Sequence, residues 1–344
     1  MLRLPLMVLV ALLVALGSYL FLLPTGAQRG SRPDVRGRPV GTLPHQHLGA
    51  FTTPSRTGGT VRLAWAPRLR VRIAPGIGGN PPRSARHGVH GAVAVLPLRL
   101  PAVLPVRTLN VPILMYHHVA PAAAPGDIYP GLTVADADFV AQLAYLHKHG
   151  YHTIDLRQLF GALYAHKALP ARPIVLTFDD GYLDNYTHAL PILRHAKDKA
   201  EFNIITGFVG RTLGVNTYMT WPQVKTMAAG GMEIESHTIN HPDLGILPEE
   251  KVRYELRDSR AALQRELGVP VQFFAYPDGQ PFKSGTAEAQ ALLLKLLPAY
   301  GYVGALLDGP LTTSRQDAQA PYQLERIRVS GGEGLGDFAA SLQS

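Results

Sequence analysis

From Val111 onward, short apolar runs alternate with amphipathic segments, and that rhythm restricts the fold more than any other feature of the chain. Apolar runs of strand length, separated by helix-length stretches with one polar face, specify a largely parallel sheet covered by helices. Strands are expected at 111–119, 152–155, 173–178, 201–206, 232–236, 272–276, 302–306 and 324–329. Between them, Phe139, Leu143 and Leu146 fall on one face of a helix over 139–148. A long charged helix is expected over 249–267, closed by Gly268, a residue free to take the left-handed turn that ends helices. Seven or eight strands in about 230 residues suit a deformed (β/α) barrel, in which C-terminal strand ends and the loops after them carry chemistry.

Upstream of that rhythm the composition changes. Residues 1–110 hold 14 arginines, no lysine and a single acid, Asp34, for a charge of +13; the remaining 19 basic and 24 acidic residues leave −5. The overall basicity therefore belongs to the N-terminal part. A mildly acidic folded region without a recognition motif argues against nucleic acid as a partner. Residues 28–108 are rich in Pro, Gly and Arg and read as a poorly ordered spacer. Residues 5–23 are uncharged and apolar, long enough at ~1.5 Å per residue to approach a bilayer's hydrocarbon thickness. Residues 1–27 thus read as a signal peptide, with small residues at Thr25-Gly26-Ala27, or as a membrane anchor. The arginines that follow outnumber Arg3, which by the positive-inside rule alone favours a cytoplasmic C-terminal side for an uncleaved segment. The chain has no cysteine, which excludes disulfides, thiolate metal sites and a cysteine nucleophile.

Two motifs bear chemistry. Thr177-Phe178-Asp179-Asp180-Gly181 ends the strand 173–178 with adjacent carboxylates, an arrangement that costs energy unless a cation or a proton intervenes. A solvated Asp-Asp-Gly turn is the plain alternative. His237-Thr238-Ile239-Asn240-His241 follows the strand 232–236 and brings two imidazoles onto one face of a helical turn; two surface histidines are its plain alternative. Together the motifs supply a His₂-carboxylate set with coordination positions open, as a hydrolytic metal needs.

The order TFDDG, then HTINH, then Phe274-Ala275-Tyr276-Pro277 resembles the NodB-homology polysaccharide deacetylases of carbohydrate esterase family 4. Ala200–Thr206 stands where that family has an ATFFVT-like strand, and Thr220-Trp221-Pro222-Gln223-Val224 leads into the histidine motif as theirs does. The resemblance covers roughly residues 111–330 and implies the domain 109–344, with the family's deformed barrel. It also implies Asp180, His237 and His241 as metal ligands, Asp179 as general base and the Tyr276 N–H as an oxyanion donor. Zinc is the expected ion, with cobalt, nickel or iron as alternatives for the same donors.

Two departures are informative. The arginine that usually precedes Tyr-Pro is absent; Arg326 is offered as the residue that orients Asp179, although Arg328 shares its strand face and either could pair with a surface acid. No histidine follows His241, whereas Tyr116-His117-His118 lies on the first strand. That layout resembles the circularly permuted branch acting on poly-β-1,6-N-acetylglucosamine, an exported biofilm polymer, and implies His117 as the acid for the leaving amine. Neighbouring strand residues face opposite ways, so His117 and His118 cannot both enter the site. The resemblance implies an N-acetylated polysaccharide substrate and a domain outside the cytoplasm, anchored through 5–23 or released. Peptidoglycan- or chitin-type deacetylation and a non-catalytic carbohydrate-binding role are the competing readings. Asp184 and Asn185 are expected to cap the next helix, and Asp278-Gly279 to close a turn. Tyr182, Tyr276 and Trp221 are candidates for stacking on sugar, with a core position the equal alternative for Trp221.

Overall fold

The computed structural model describes residues 60–62, 70–72, 97–308 and 313–343. The apolar run 5–23 and most of the expected spacer lie outside the described residues. Thr60–Arg62 and Arg70–Arg72 pair antiparallel as a two-stranded ribbon in a unit of their own. Everything that follows concerns the other unit. Among the described residues no helix is long and apolar enough to cross a membrane.

Seven parallel strands form the sheet: β1 (Ile113–Tyr116), β2 (Pro173–Phe178), β3 (Glu201–Ile204), β4 (Glu233–Ser236), β5 (Phe273–Ala275), β6 (Gly304–Leu306) and β7 (Ile327–Arg328). Their spatial order is β6-β5-β4-β3-β2-β1-β7, and the short strand His152–Thr153 pairs with the start of β2. The last segment joins the two edges: Leu324 bridges in parallel to Leu306, and β7 then pairs with Leu114 and Met115 of β1. The sheet thus curls into the deformed barrel that the alternating pattern implies.

Period-two alternation divides each strand between two cores. Leu114, Tyr116, Ile174, Leu176, Phe178, Phe202 and Phe274 face outward onto the helices. Ile113, Val175, Phe273 and Ala275 face inward, where Leu156, Leu159 and Phe160 of the helix Leu156–Ala165 close the base. That helix begins in a capping box: Asp155 accepts the Gln158 N–H at 2.8 Å while Gln158 accepts the Asp155 N–H at 3.1 Å. The helix Glu249–Leu267 ends at Gly268 with φ 71°, as its sequence implies. Contacts with the domain begin before residue 109, because Leu98 and Leu100 are apolar enough to pack on it. Leu98 exchanges two hydrogen bonds with Gln272, of 2.8 and 2.9 Å.

The inward face is not uniformly apolar. Glu201 and Glu235 are each 1% exposed. Glu201 accepts the Leu156 N–H, and Glu235 accepts the N–H groups of Gln272 and Phe273 at 2.7 and 2.8 Å. Burial pushes the Glu235 carboxyl up to about 8, against the pull of the Arg157 guanidinium and the two backbone donors. An unfolded glutamate ionises near ~4.3, so across the interval up to about 8 only the folded chain keeps this proton. The unfolded state then binds fewer protons, and stability falls as pH rises through that window. Glu235→Gln is expected to raise the thermal midpoint by about 3–6 °C at roughly pH 8 and to flatten the decline from roughly pH 5, as followed by thermal unfolding at both values.

Candidate metal centre

The inward register that runs Ile113, Met115 on β1 and Val175, Thr177 on β2 delivers His117 and Asp179 to the mouth of the barrel. On β4 the same parity runs Glu233, Glu235 and ends on His237. His117, Asp179 and His237, with Asp180, His241, Tyr276 and Asp278, line a cleft of about 480 Å³. Loop residues Ile128 and Tyr129 stand exposed at its rim.

Three donor atoms converge there. Asp180, His237 and His241 each place one ligand atom within 4.8 Å of the others. Asp180 Oδ1 lies 3.4 Å from His237 Nε2 and 3.5 Å from His241 Nε2. Tetrahedral ligands at about 2.0–2.1 Å from a zinc-like ion stand about 3.4 Å apart, so the spacing suits such an ion. His237 Nδ1 lies 2.8 Å from the Ala275 carbonyl, which can only accept; Nδ1 therefore carries a proton and Nε2 is the nitrogen turned toward Asp180. Asp180 Oδ1 is buried without a hydrogen-bond partner. A carboxylate oxygen so buried needs positive charge beside it, which protonated imidazoles or a divalent cation can supply. Burial raises the Asp180 carboxyl, but the nearby imidazoles outweigh it and hold the group well below the usual carboxylate range.

The local backbone is shaped for this convergence. Asp180 and Gly181 both take left-handed φ, 74° and 79°, as do Thr238 at 66° and His241 at 53°. Such values strain non-glycine residues and are kept where surrounding structure over-determines them. A Cβ on Gly181 would meet Ile204 at 3.0 Å, so this turn needs glycine twice over. The histidine loop is held from the helix Glu249–Leu267: Glu255 accepts the Ile239 N–H at 2.7 Å, the Asn240 N–H at 3.0 Å and the Asn240 amide at 2.7 Å.

Asp179 is the most heavily bonded acid of the cleft. Arg326 Nη1 and Nη2 donate to its two oxygens at 2.8 Å each, and Asn203 Nδ2 donates to Oδ1 at 2.7 Å. Arg326 is itself 2% exposed and also donates to the Leu307 carbonyl and the Thr177 hydroxyl. Burial raises Asp179, but Arg326 and His237 overcome it and keep the carboxylate ionised. Arg328, on the same face of β7, instead meets Asp308 at 2.5 Å.

The two histidines of the first strand part company, as strand parity requires. His117 lines the cleft with Nδ1 lacking a partner, while His118 pairs with Asp184 at 2.5 Å and stacks on Tyr182. Burial lowers His117, and Asp180 and Asp179 act in the opposite direction. Two expectations need correction. The Tyr276 N–H is not a free oxyanion donor, because it bonds the Leu306 carbonyl at 3.1 Å as the sheet continues past β5. Asp184 and Asn185 make no side-chain cap; Asp184 accepts from Val119 N, and Asn185 donates to the His117 carbonyl at 2.7 Å, fixing the end of the first strand. Of the two readings of Trp221, the structure takes the core one: it packs on the core and does not line the cleft. Asp278-Gly279 does close a turn, with Gly279 N bonding the Tyr276 carbonyl at 3.1 Å.

Asn203 and Glu255 were not among the sequence-derived candidates. Asn203 is a buried polar residue between Phe202 and Ile204, on the same inward face as Glu201. Glu255 sits in the buried stripe Val252, Leu256, Ser259 and Leu263 of its helix, so each left a signal as a polar residue at a core position.

Known proteins match this chain throughout the barrel. The family model for polysaccharide deacetylase aligns with residues 166–296. YxkH of Bacillus subtilis, described as a polysaccharide deacetylase, is 32% identical over 235 residues, covering 68% of this chain and 77% of that one. The poly-β-1,6-N-acetyl-D-glucosamine N-deacetylase of Escherichia coli is 34% identical over 111 residues, which span 29% of this chain and 16% of that one. The Streptococcus pyogenes deacetylase PplD, solved with acetate, superposes with a TM-score of 0.60 at 26% identity, over 69% of this chain and all of that one. With the sheet, the cleft and these matches in agreement, the chain belongs to the polysaccharide deacetylases, hydrolases of carbon–nitrogen bonds.

Proposed function

We propose that the chain removes N-acetyl groups from a poly-β-1,6-N-acetylglucosamine-like polymer, using one divalent ion, zinc, held by Asp180, His237 and His241. The observation that carries the substrate reading is His117: the imidazole that faces the cleft comes from the first strand of the domain, and no histidine follows His241. The local likeness to the Escherichia coli enzyme, which acts on that polymer, supports the same reading. The uncharged run 5–23 supports a domain placed outside the cytoplasm.

When bound, the ion polarises the acetamide carbonyl and acidifies the attacking water. The protein supplies the rest. Asp179, ionised and held by Arg326, takes the proton from that water. As the carbon–nitrogen bond breaks, acetate forms and the departing nitrogen needs a proton, which His117 delivers. His117 lines the cleft, so its ring borders the space a sugar would enter. The Tyr276 N–H, committed to the Leu306 carbonyl at 3.1 Å, is not available as an oxyanion donor.

Acetate release from β-1,6- and β-1,4-linked N-acetylglucosamine oligomers tests both levels. Wild type is expected to prefer the β-1,6 series, and Asp179→Asn to lose about 10²–10⁴-fold in kcat. Equal or better turnover of the β-1,4 series would reject the substrate reading; an active Asp179→Asn would reject the base. His117→Gln is expected to lose about 10²-fold on the acetamide but far less on an activated aryl acetate, whose leaving group needs no proton. Equal losses on the two substrates would contradict the acid role.

A further inference from the structure

Asp179 has two oxygens, and its partners do not treat them alike. Oδ1 accepts from Arg326 Nη1 at 2.8 Å and from Asn203 Nδ2 at 2.7 Å, whereas Oδ2 accepts only from Arg326 Nη2. A carboxylate oxygen has two good acceptor positions, so Oδ1 is filled and Oδ2 retains one. Arg326 alone, donating once to each oxygen, would leave the pair equivalent. Asn203 breaks that equivalence.

Asn203 is an odd residue for its place. It lies in the middle of β3, fully buried, beside Glu235 of β4 in register, in a strand whose neighbours Phe202 and Ile204 are core. Its own Oδ1 finds no hydrogen-bond partner. A buried amide with an orphaned carbonyl costs stability that an apolar side chain of similar size would not. The bond to Asp179 is what the residue contributes in return, and only the amide nitrogen can face a carboxylate.

We propose that Asn203 is a positioning residue for hydrolysis: by saturating Oδ1 of Asp179, it makes Oδ2 the oxygen that accepts the proton of the attacking water. The proposal rests on Asp179 being the base. It predicts an effect on the chemical step and none on the metal ligands, since Asn203 has no hydrogen bond to Asp180, His237 or His241. Glu235 lies level with Asn203 and Glu201 deeper on the same inward face; both accept backbone N–H groups and make no hydrogen bond to Asp179.

The test compares wild type, Asn203→Leu, Asn203→Asp and Asp179→Asn on one N-acetylglucosamine oligomer, with bound metal and thermal midpoint measured for each. Asn203→Leu removes the donor at similar volume; kcat is expected to fall about 10- to 100-fold with KM, metal content and midpoint close to wild type. Asn203→Asp keeps the shape but turns the donor into a second acid against Oδ1, and is expected to lose more. It decides the matter should the leucine variant fail to fold. In the Asp179→Asn background, removing the Asn203 donor is expected to add no further loss, because the residue acts through Asp179. A kcat within twofold of wild type in the folded variant overturns the proposal. So does a loss that tracks falling metal content or falling stability, and so does a full additional loss in the Asp179→Asn background. If Asp179→Asn itself retains wild-type activity, it is the assignment of the base that fails, a result distinguishable from an active Asn203→Leu beside an inactive Asp179→Asn.

Discussion

A fully buried guanidinium clasps a carboxylate that just reaches the cleft, and much of the domain is arranged around that pair. Arg326 reaches Asp179 with two parallel bonds of 2.8 Å, while its Nε holds the Leu307 carbonyl at 2.7 Å. Desolvating two charges costs several kcal/mol, and the cost is recovered only where geometry is good and the remaining donors are satisfied. Both conditions hold here. The pair also ties the last strand of the chain, which joins the two edges of the sheet, to the acid that ends β2. Closure of the barrel and orientation of Asp179 thus depend on one contact, and disturbing either disturbs the other.

Strand parity does the rest of the placing. Because successive residues alternate between the helices and the interior, one register decision per strand settles which side chains reach the cleft. His117 enters and His118 leaves to meet Asp184. Asp179 enters at the end of β2, and the left-handed turn at Asp180 and Gly181 then swings the second carboxylate back toward the histidines. Adjacent acids therefore occupy different surroundings, Asp179 among nitrogen donors and Asp180 between two imidazoles. That separation suits the roles proposed above, a proton acceptor at the first and a metal ligand at the second.

Much of this was legible in the sequence, and the reasons differ by element. The strand 173–178 and the helix 249–267 coincide with the observed bounds because a β-branched apolar run and a glycine-closed amphipathic run are strong local signals. The ends of 111–119 and 324–329 were less legible, since both break where the chain bends between partners: β1 stops at Tyr116 before a separate pairing of His118–Ala120, and only Ile327 and Arg328 of the last run are ladder residues. In the site, spacing marked the two acids and the two histidines. It showed Arg326 and Arg328 on one face without showing that the first meets Asp179 and the second Asp308, a matter of strand tilt and depth. The Tyr276 N–H looked free because no sequence signal tells that the β5 ladder runs one residue further. Asn203 and Glu255 were hidden for the opposite reason: each is a polar residue inside a pattern read as core, and its partner is distant in sequence.

The central claim is that hydrolysis depends on a divalent ion at Asp180, His237 and His241 with Asp179 beside it. Titrating chelator-stripped protein with zinc, while following bound metal and acetate release from an N-acetylglucosamine oligomer together, tests it most directly. Acetate release is predicted to be absent in the stripped protein and to rise in proportion to bound metal up to one ion per chain, and His237→Ala is predicted to show neither binding nor release. Full activity in the stripped protein, or stoichiometric metal binding that survives His237→Ala, would contradict the account.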